Sequence, residues 1–113
     1  MVYSCHVLEH VPNPFQTLTK MLAWVKPGGI VVAQTPNGSR EFRAANPAAF
    51  HRLWGRVHPF LLTAEFVTRN FAHQPCYVSS DDRPARVQAW DRASRHVADL
   101  GGSNLFFALV KAT

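Results

Sequence analysis

The sequence contains little cysteine, and its two cysteines, Cys5 and Cys76, lie far apart in the chain. No Cys-x-x-Cys spacing occurs, so the usual signature of a structural zinc site or a dithiol redox centre is missing. Two distant cysteines also give no disulfide framework of the kind that stabilises small secreted domains. We therefore interpret both as small core residues, each in a strand, of a protein from a reducing compartment.

Long apolar runs are also absent. No window approaches the roughly 20 consecutive apolar residues that a membrane-spanning helix needs. The first residues lack the basic segment and the uninterrupted apolar stretch of an export signal. We therefore expect a cytoplasmic protein with no membrane partner.

Acidic residues are few: seven, against twelve lysines and arginines, which gives a net charge of +5. The basic residues cluster in residues 40–56 and 83–95, but acidic side chains such as Glu41 and Asp91 interrupt both clusters. No Lys/Arg-rich run and no nucleic-acid motif accompanies them. The pattern indicates a solvated basic face and does not favour nucleic acid as a partner.

The pattern that is present is strand, helix, strand. Residues 2–8 are mostly apolar, Asn13 and Pro14 are typical of a helix start, and Lys26-Pro27-Gly28-Gly29 is typical of a helix end. Residues 30–33 form a second apolar run without alternation, as in a strand covered on both faces. Two strands joined by a crossover helix predict a parallel sheet and the α/β class.

Two phrases in this stretch resemble class I S-adenosylmethionine-dependent methyltransferases: LEHVPNP (residues 8–14) and VKPGG (residues 25–29). In that family such phrases follow the fourth strand and precede the fifth. The resemblance implies a Rossmann-like methyltransferase sheet of which this chain supplies the fourth to seventh strands, with the last strand antiparallel between the fifth and sixth. It also implies methyl transfer from S-adenosylmethionine to a small molecule that the sequence does not identify.

The family's glycine-rich cofactor loop has no counterpart here, because no G-x-G-x-G occurs in the chain. We therefore interpret residues 1–113 as a single partial domain, the carboxy-terminal half of such an enzyme, inactive alone and weak in cofactor binding. Whether Met1 is the true start stays open. The alternatives are a non-catalytic remnant that serves as a binding or oligomerisation module, and assembly with a second chain that supplies the missing half.

The remaining pattern predicts a helix capped by Thr63, a strand at residues 76–80, a helix over residues 84–99 and a final strand at residues 104–111. The strand at residues 2–8 would lie mid-sheet in the whole enzyme and would be an exposed edge here. An unprotected edge of this kind favours pairing with another chain, so we expect self-association.

Candidate site residues follow from the rule that ligands of open parallel sheets bind beyond the carboxyl ends of the strands. At the end of the first strand these are Cys5, His6 and Val7, which we assign to cofactor binding. The resemblance places Glu9 first and His10 second among catalytic candidates. The structural alternatives stay open: hydrogen bonds from Glu9 to backbone groups near the helix start, and packing of His10 on the loop.

Asn37, after the second strand, and His58, before the helix that Thr63 caps, are candidate substrate-binding residues. A turn residue and a surface histidine are the respective alternatives. Some related quinone O-methyltransferases hold a divalent ion with a Glu-x-x-Glu-His phrase, but His6 replaces the first Glu here. That change weakens the oxygen ligand set, and no third and fourth zinc ligands can be identified, so no metal is predicted.

Overall fold

A computed structural model describes residues 1–53, 62–81 and 83–112. Helices and strands alternate through most of this part of the chain. Its strands are β1 (Val2–Cys5), β2 (Ile30–Pro36), β3 (Cys76–Ser79), β4 (Arg95–Val97) and β5 (Asn104–Val110). Its α-helices are α1 (Pro14–Trp24), α2 (Arg40–Ala45), α3 (Pro47–Leu53), α4 (Ala64–Asn70) and α5 (Pro84–Ala89), and a short 3₁₀ helix spans Leu8–His10.

The five strands form one sheet in the order β1-β2-β5-β3-β4. β1 runs parallel to β2 and β3 runs parallel to β4, whereas β5 lies antiparallel between β2 and β3. The α/β class and the antiparallel insertion of the last strand are therefore confirmed. β4 is an additional strand that the sequence pattern did not predict.

One face of the sheet carries the main core, which α1 and α4 cover. From α1, the buried side chains include Leu18, Met21 and Leu22, spaced as on one face of a helix. Phe15, in the first turn of α1, is 42% exposed and contacts the Phe71 ring at a centroid distance of 5.6 Å.

The ends of α1 are set by local chemistry, as predicted. Asn13 Oδ1 accepts a hydrogen bond from the Gln16 backbone N–H (3.1 Å), which caps the helix. Gly28 adopts a φ of 78°, a conformation that glycine takes without a steric penalty. The turn is then fastened to the last strand, because Gly28 N–H donates to Lys111 O (3.0 Å) and Lys111 N–H donates to Gly29 O (2.9 Å).

The helix predicted over residues 84–99 is wrong in its second half. α5 ends at Ala89, and Asp91 Oδ1 then accepts hydrogen bonds from the backbone N–H groups of Ala93 and Ser94 (2.8 Å each). An aspartate that bonds nearby backbone groups favours a turn over a helix. Arg92, with a φ of 62°, completes the reversal that leads into β4.

β4 is attached to the helical layer through Arg95. Its guanidinium donates to the backbone carbonyls of Phe71 (2.8 Å), Gln74 (2.6 Å) and Thr68 (3.0 Å) at the end of α4. These carbonyls lack partners within the helix, and a cation is favoured at this end of the helix dipole. One side chain therefore both caps α4 and holds the edge strand in place.

The predicted strand at residues 2–8 is shorter than expected, because β1 ends at Cys5 and a 3₁₀ helix begins at Leu8. The prediction that Cys5 is a buried core residue is wrong: its side chain is exposed on the face of β1 that the described helices leave uncovered. Cys76 is buried as predicted, and burial raises the pKa of its thiol. In the described part of the chain, no helix has the length and hydrophobicity needed to cross a membrane.

The glycine pair before β2 offers a test of this turn. A Cβ at Gly29 would lie 2.8 Å from the Lys26 carbonyl oxygen, a contact that requires a backbone shift. We expect Gly29→Ala to lower the free energy of unfolding by about 1–3 kcal/mol, measured by urea denaturation. The control is Gly101→Ala, whose new Cβ would meet no atom nearer than Ala45 Cβ at 3.9 Å. Equal effects of the two substitutions would contradict the steric argument.

Candidate functional site

The carboxyl ends of β1, β2 and β3 lie along one edge of the sheet, because these three strands run in the same direction. The residues that follow them are the turn at residues 6–10, the segment starting at Asn37 and the loop starting at Ser80. Open α/β sheets bind ligands at this edge. The sequence-predicted candidates Cys5, His6, Val7, Glu9, His10 and Asn37 all lie there, whereas His58 lies outside the described residues.

The turn after β1 is tightly folded. His6 has a φ of 54°, in the left-handed region that non-glycine residues rarely adopt, and its N–H donates to Gln34 O on β2 (2.8 Å). The 3₁₀ helix follows at once, with His10 N–H donating to Val7 O (2.9 Å). Leu8 is fully buried in the main core and anchors this turn against the sheet.

Glu9 points inward from this turn and is fully buried, with 0% of its surface exposed. Neither of its carboxylate oxygens has a hydrogen-bond partner among the residues that the structure describes. The nearest basic group is His6 Nδ1, 3.5 Å from Oε2, a distance that gives an ion pair when the imidazole is protonated. The structural alternative for Glu9, hydrogen bonds to backbone groups near the helix start, is therefore not observed within the described ranges.

A buried carboxylate without hydrogen bonds is destabilising, because burial removes its water and nothing replaces it. Proteins retain such groups mainly where the group has a task, and these groups concentrate at functional sites. Glu9 has two free acceptor oxygens at the ligand-binding edge of the sheet. It is therefore suited to accept a hydrogen bond or a proton from a bound hydroxyl or amine.

The other residues of the turn lie at the surface. His6 and Val7 are each 48% exposed, and Cys5 and His10 are also exposed. They form an open rim around the point where Glu9 enters the core. Their geometry is compatible with contact to a ligand, but the assignment of Cys5, His6 and Val7 to a cofactor stays a prediction.

The glycines of the described segments do not form a cradle for a nucleoside at this edge. Gly28 and Gly29 lie at the opposite, amino end of β2, where they bond Lys111. Gly102 packs against Ser80, and a Cβ added to it would lie 2.9 Å from the Ser80 side chain. These close approaches explain the glycines structurally. The residues described therefore do not fit S-adenosylmethionine as a whole.

Asn37 is buried and fully hydrogen-bonded. Its Nδ2 donates to the carbonyls of Leu100 (2.7 Å) and Gly102 (2.8 Å), and its Oδ1 accepts from Ser39 N–H (2.9 Å). The amide therefore has the structural role of joining the segment after β2 to the segment before β5. Its predicted contact with a substrate is untested, and these bonds leave its side chain little freedom to make one.

The network around Asn37 builds one wall of a cavity of about 370 Å³. Ser39 extends the network, since its Oγ accepts from Ala64 N–H (3.2 Å) and so joins the starts of α2 and α4. The volume is within the range of roughly 300–1,000 Å³ typical of small-molecule sites. Residues at the starts of α2 and α4 and at the end of β4 line it: Gly38, Ser39, Arg40, Glu41, Thr63, Ala64, Glu65, Thr68, Val97 and Leu100.

Sequence reasoning missed this cavity and the part that Ser39 plays in it. The only local signal was the turn sequence Asn37-Gly38-Ser39, because the other bonding partners lie more than 20 residues away. Glu9 does not line the cavity, so the carboxylate and the cavity are separate features of the same sheet edge. Of these two features, the carboxylate points more directly to chemistry, since a surface cavity alone specifies no reaction.

The loop after β3 is organised by Asp81. Its carboxylate accepts hydrogen bonds from Arg83 Nη2 (2.7 Å) and Nε (2.9 Å), which lower the pKa of Asp81 to about 2. A folded pKa below the ordinary value means that this contribution to stability is present above about pH 4. It is lost as the pH falls through about 2. The loop is thus fastened at physiological pH without involving the turn that holds Glu9.

Across residues 1–53, 62–81 and 83–112, no group of three or more His, Cys, Asp or Glu side chains is placed to hold a metal ion. His6, Glu9 and His10 are the residues that the Glu-x-x-Glu-His comparison singled out. Of these residues, His6 and Glu9 lie at ion-pair distance, with 3.5 Å between Nδ1 and Oε2.

Comparison with known proteins gives one match. A family model described as a methyltransferase domain matches residues 1–97, which is most of the chain. Searches of curated proteins and of solved structures returned no match. The matched range includes the turn that holds Glu9, Asn37 itself and all of the cavity lining except Leu100. It ends before Leu100 and Gly102, whose carbonyls accept the hydrogen bonds of Asn37.

The burial of the Glu9 carboxylate without hydrogen bonds predicts that this side chain lowers the free energy of unfolding. We expect Glu9→Met to raise the free energy of unfolding by about 1–3 kcal/mol at neutral pH, because an apolar side chain of similar length removes the desolvation penalty. Urea denaturation measures the change. Glu41→Met is the matched control: its carboxylate is partly exposed, so we expect a change within about 0.5 kcal/mol. A loss of stability in Glu9→Met would show that the carboxylate has structural partners in solution.

Proposed function

The chain belongs to the methyltransferase-domain family, and on that premise we propose that it takes part in methyl transfer from S-adenosylmethionine to a small molecule. The observation that supports a catalytic role is the carboxylate of Glu9, buried and without hydrogen bonds at the carboxyl edge of the sheet. A reaction that needs a positioned acceptor uses such a group, whereas a purely structural module gains nothing from its cost.

In this proposal Glu9 accepts a hydrogen bond from the hydroxyl or amine of the methyl acceptor. The bond orients the nucleophile, and the carboxylate takes up the proton that the acceptor loses on methylation. His10, exposed on the next position of the turn, contacts the acceptor from the solvent side. The acceptor is neutral or cationic beside the reacting atom, because a buried carboxylate repels a second negative charge.

Methyltransferases of this family generally use S-adenosylmethionine. We propose that residues outside these 113 supply most of its binding site, and that Cys5, His6 and Val7 line the part nearest to Glu9. The supporting observation is the position of β1 at the end of the described sheet, where β2 is its one described strand partner. We propose that an additional strand pairs with the other side of β1. That strand comes from the same polypeptide or from a separate chain.

A second candidate function is that of a non-catalytic remnant that acts as a binding or oligomerisation module. The same β1 edge favours it, because the four residues of β1 include no lysine or proline to discourage pairing. Self-association through this edge is its expected behaviour. Glu9 discriminates the two functions, since only the catalytic one depends on its charge.

The cofactor proposal is tested by calorimetric titration of the 113-residue protein with S-adenosylmethionine. We expect weak or undetectable binding, because the sequence has no G-x-G-x-G loop and the described glycines lie singly or in pairs in turns and against neighbouring residues. Binding with a dissociation constant near 1 μM, about −8 kcal/mol, would overturn this expectation. It would show that the chain, or a dimer of it, builds a complete cofactor site.

The catalytic proposal is tested in a protein extended by whatever coding sequence precedes Met1 in frame, or supplemented with a chain that supplies the glycine-rich loop. Transfer of labelled methyl groups to a small-molecule extract is measured for the wild type and for Glu9→Gln. We expect turnover to fall roughly ten- to a hundredfold, about 1.4–2.7 kcal/mol of transition-state stabilisation.

Asp99→Asn serves as the control for the loss of one surface charge, because Asp99 is 59% exposed and does not line the cavity. Its turnover should equal that of the wild type. Unchanged turnover in Glu9→Gln would remove Glu9 from the reaction. If neither the extended nor the supplemented protein transfers methyl groups, the remnant function is favoured instead.

A further inference from the structure

We propose that His6 is a positioning residue for Glu9, and that the unusual backbone conformation of His6 is retained to bring its imidazole to the buried carboxylate. This inference rests on the proposed function in one respect, since it takes Glu9 to be the group that contacts the acceptor. The contact itself is independent of that function. Three features of the turn support it: the backbone conformation of His6, the distance between its imidazole and the Glu9 carboxylate, and the difference in burial between these two groups.

The first feature is the backbone of His6. A φ of 54° costs glycine nothing and is uncommon for residues with a Cβ, among which asparagine, aspartate and histidine adopt it most often. The backbone bond from His6 N–H to Gln34 O would serve a glycine or an asparagine equally well. The turn therefore needs the left-handed conformation but does not need histidine, and what histidine adds is a side chain that reaches Glu9.

The second feature is the distance of 3.5 Å between His6 Nδ1 and Glu9 Oε2. Within the part of the chain that the structure describes, this is the one ion pair that Glu9 makes. The residue of β2 that bonds the turn, Gln34, is uncharged. A protonated imidazole at this distance stabilises the charge of the carboxylate.

The third feature is the difference in burial. The imidazole is 48% exposed, whereas the carboxylate is completely buried. Histidine is in general the side chain whose charge depends on pH between about 5 and 8, so measurements at two pH values in this range test whether the contact depends on charge. The pair is longer than an ordinary hydrogen bond, which leaves both carboxylate oxygens able to accept a bond from a ligand.

A double-mutant cycle on the 113-residue protein tests this role without any methyl donor. The variants are His6→Gly, Glu9→Gln and the combination, and the unfolding equilibrium is measured by urea denaturation at pH 5.5 and pH 8. We expect a favourable coupling of about five- to tenfold in the unfolding constant at pH 5.5, falling to within about twofold at pH 8. A structural role of the turn alone would give a coupling that does not change with pH.

Two further variants make the test decisive. His6→Asn tolerates the left-handed conformation without carrying a charge, so its cycle with Glu9→Gln removes the same pair and should reproduce the coupling of the His6→Gly cycle at both pH values. His73→Asn, which removes an exposed histidine from another loop, is the matched control and should be uncoupled from Glu9. If His6→Gly fails to fold, the His6→Asn single variant decides by the pH dependence of its stability relative to wild type.

Coupling that is absent at pH 5.5, or equally strong at pH 8, would overturn the proposal. These outcomes are separable from those of the methyl-transfer assay. A protein without methyl transfer can still show the coupling, in which case the pairing stands and the catalytic function fails. Methyl transfer without coupling would instead leave the function standing and remove His6 from its positioning role.

Discussion

The antiparallel pairing of β2 with β5 holds the sheet together, because it joins the first half of the chain to the last residues along seven consecutive positions. Backbone hydrogen bonds close both ends of the pair. Gly28 and Gly29 bond Lys111 at one end, and Asn37 N–H donates to Ser103 O (2.9 Å) at the other. β1 and β3 then pair with the outer sides of these two strands. The pairing register of these strands therefore sets the sheet edge at which β1, β2 and β3 end.

The carboxyl edge of the sheet contains two locally unfavourable features. Glu9 is a buried carboxylate without hydrogen bonds in the described structure, and His6 beside it has a left-handed backbone. The fold tolerates these two destabilising features because the surrounding core is well packed, with Leu8 fully buried one residue from Glu9. A local loss of stability at one sheet edge is typical of a functional site.

The parts of the fold that sequence analysis predicted correctly depend on near neighbours in the chain. The Asn13 and Thr63 caps each bond a backbone N–H three residues away, and the glycine pair before β2 stops α1 as expected. The wrong predictions depend on distant contacts. Cys5 is exposed because the described helices cover the other face of β1. The helix predicted over residues 84–99 is shorter because Asp91 forms hydrogen bonds within its own loop and residues 95–97 pair with β3.

The candidate site divides in the same way. The rule on strand ends was enough to place Glu9 and its neighbours at the right edge, but not to show that the carboxylate is buried and unpaired. Asn37 was singled out from its position, whereas its bonds to Leu100 and Gly102 span more than 60 residues and leave no local trace. The contact of His6 with Glu9 depends on the left-handed backbone of His6, and no residue in 5–10 predicts that conformation from the sequence.

The central claim is that the carboxylate of Glu9 is removed from water and lacks ordinary hydrogen bonds. Difference infrared spectroscopy tests it directly, because the frequency of a carboxyl band depends on hydrogen bonding and the chain has only seven acidic side chains. The account predicts that the band lost in Glu9→Gln is displaced from the band lost in Glu41→Gln and does not shift quickly in heavy water. A band at the same frequency as that of the exposed Glu41, with an immediate shift in heavy water, would contradict the account.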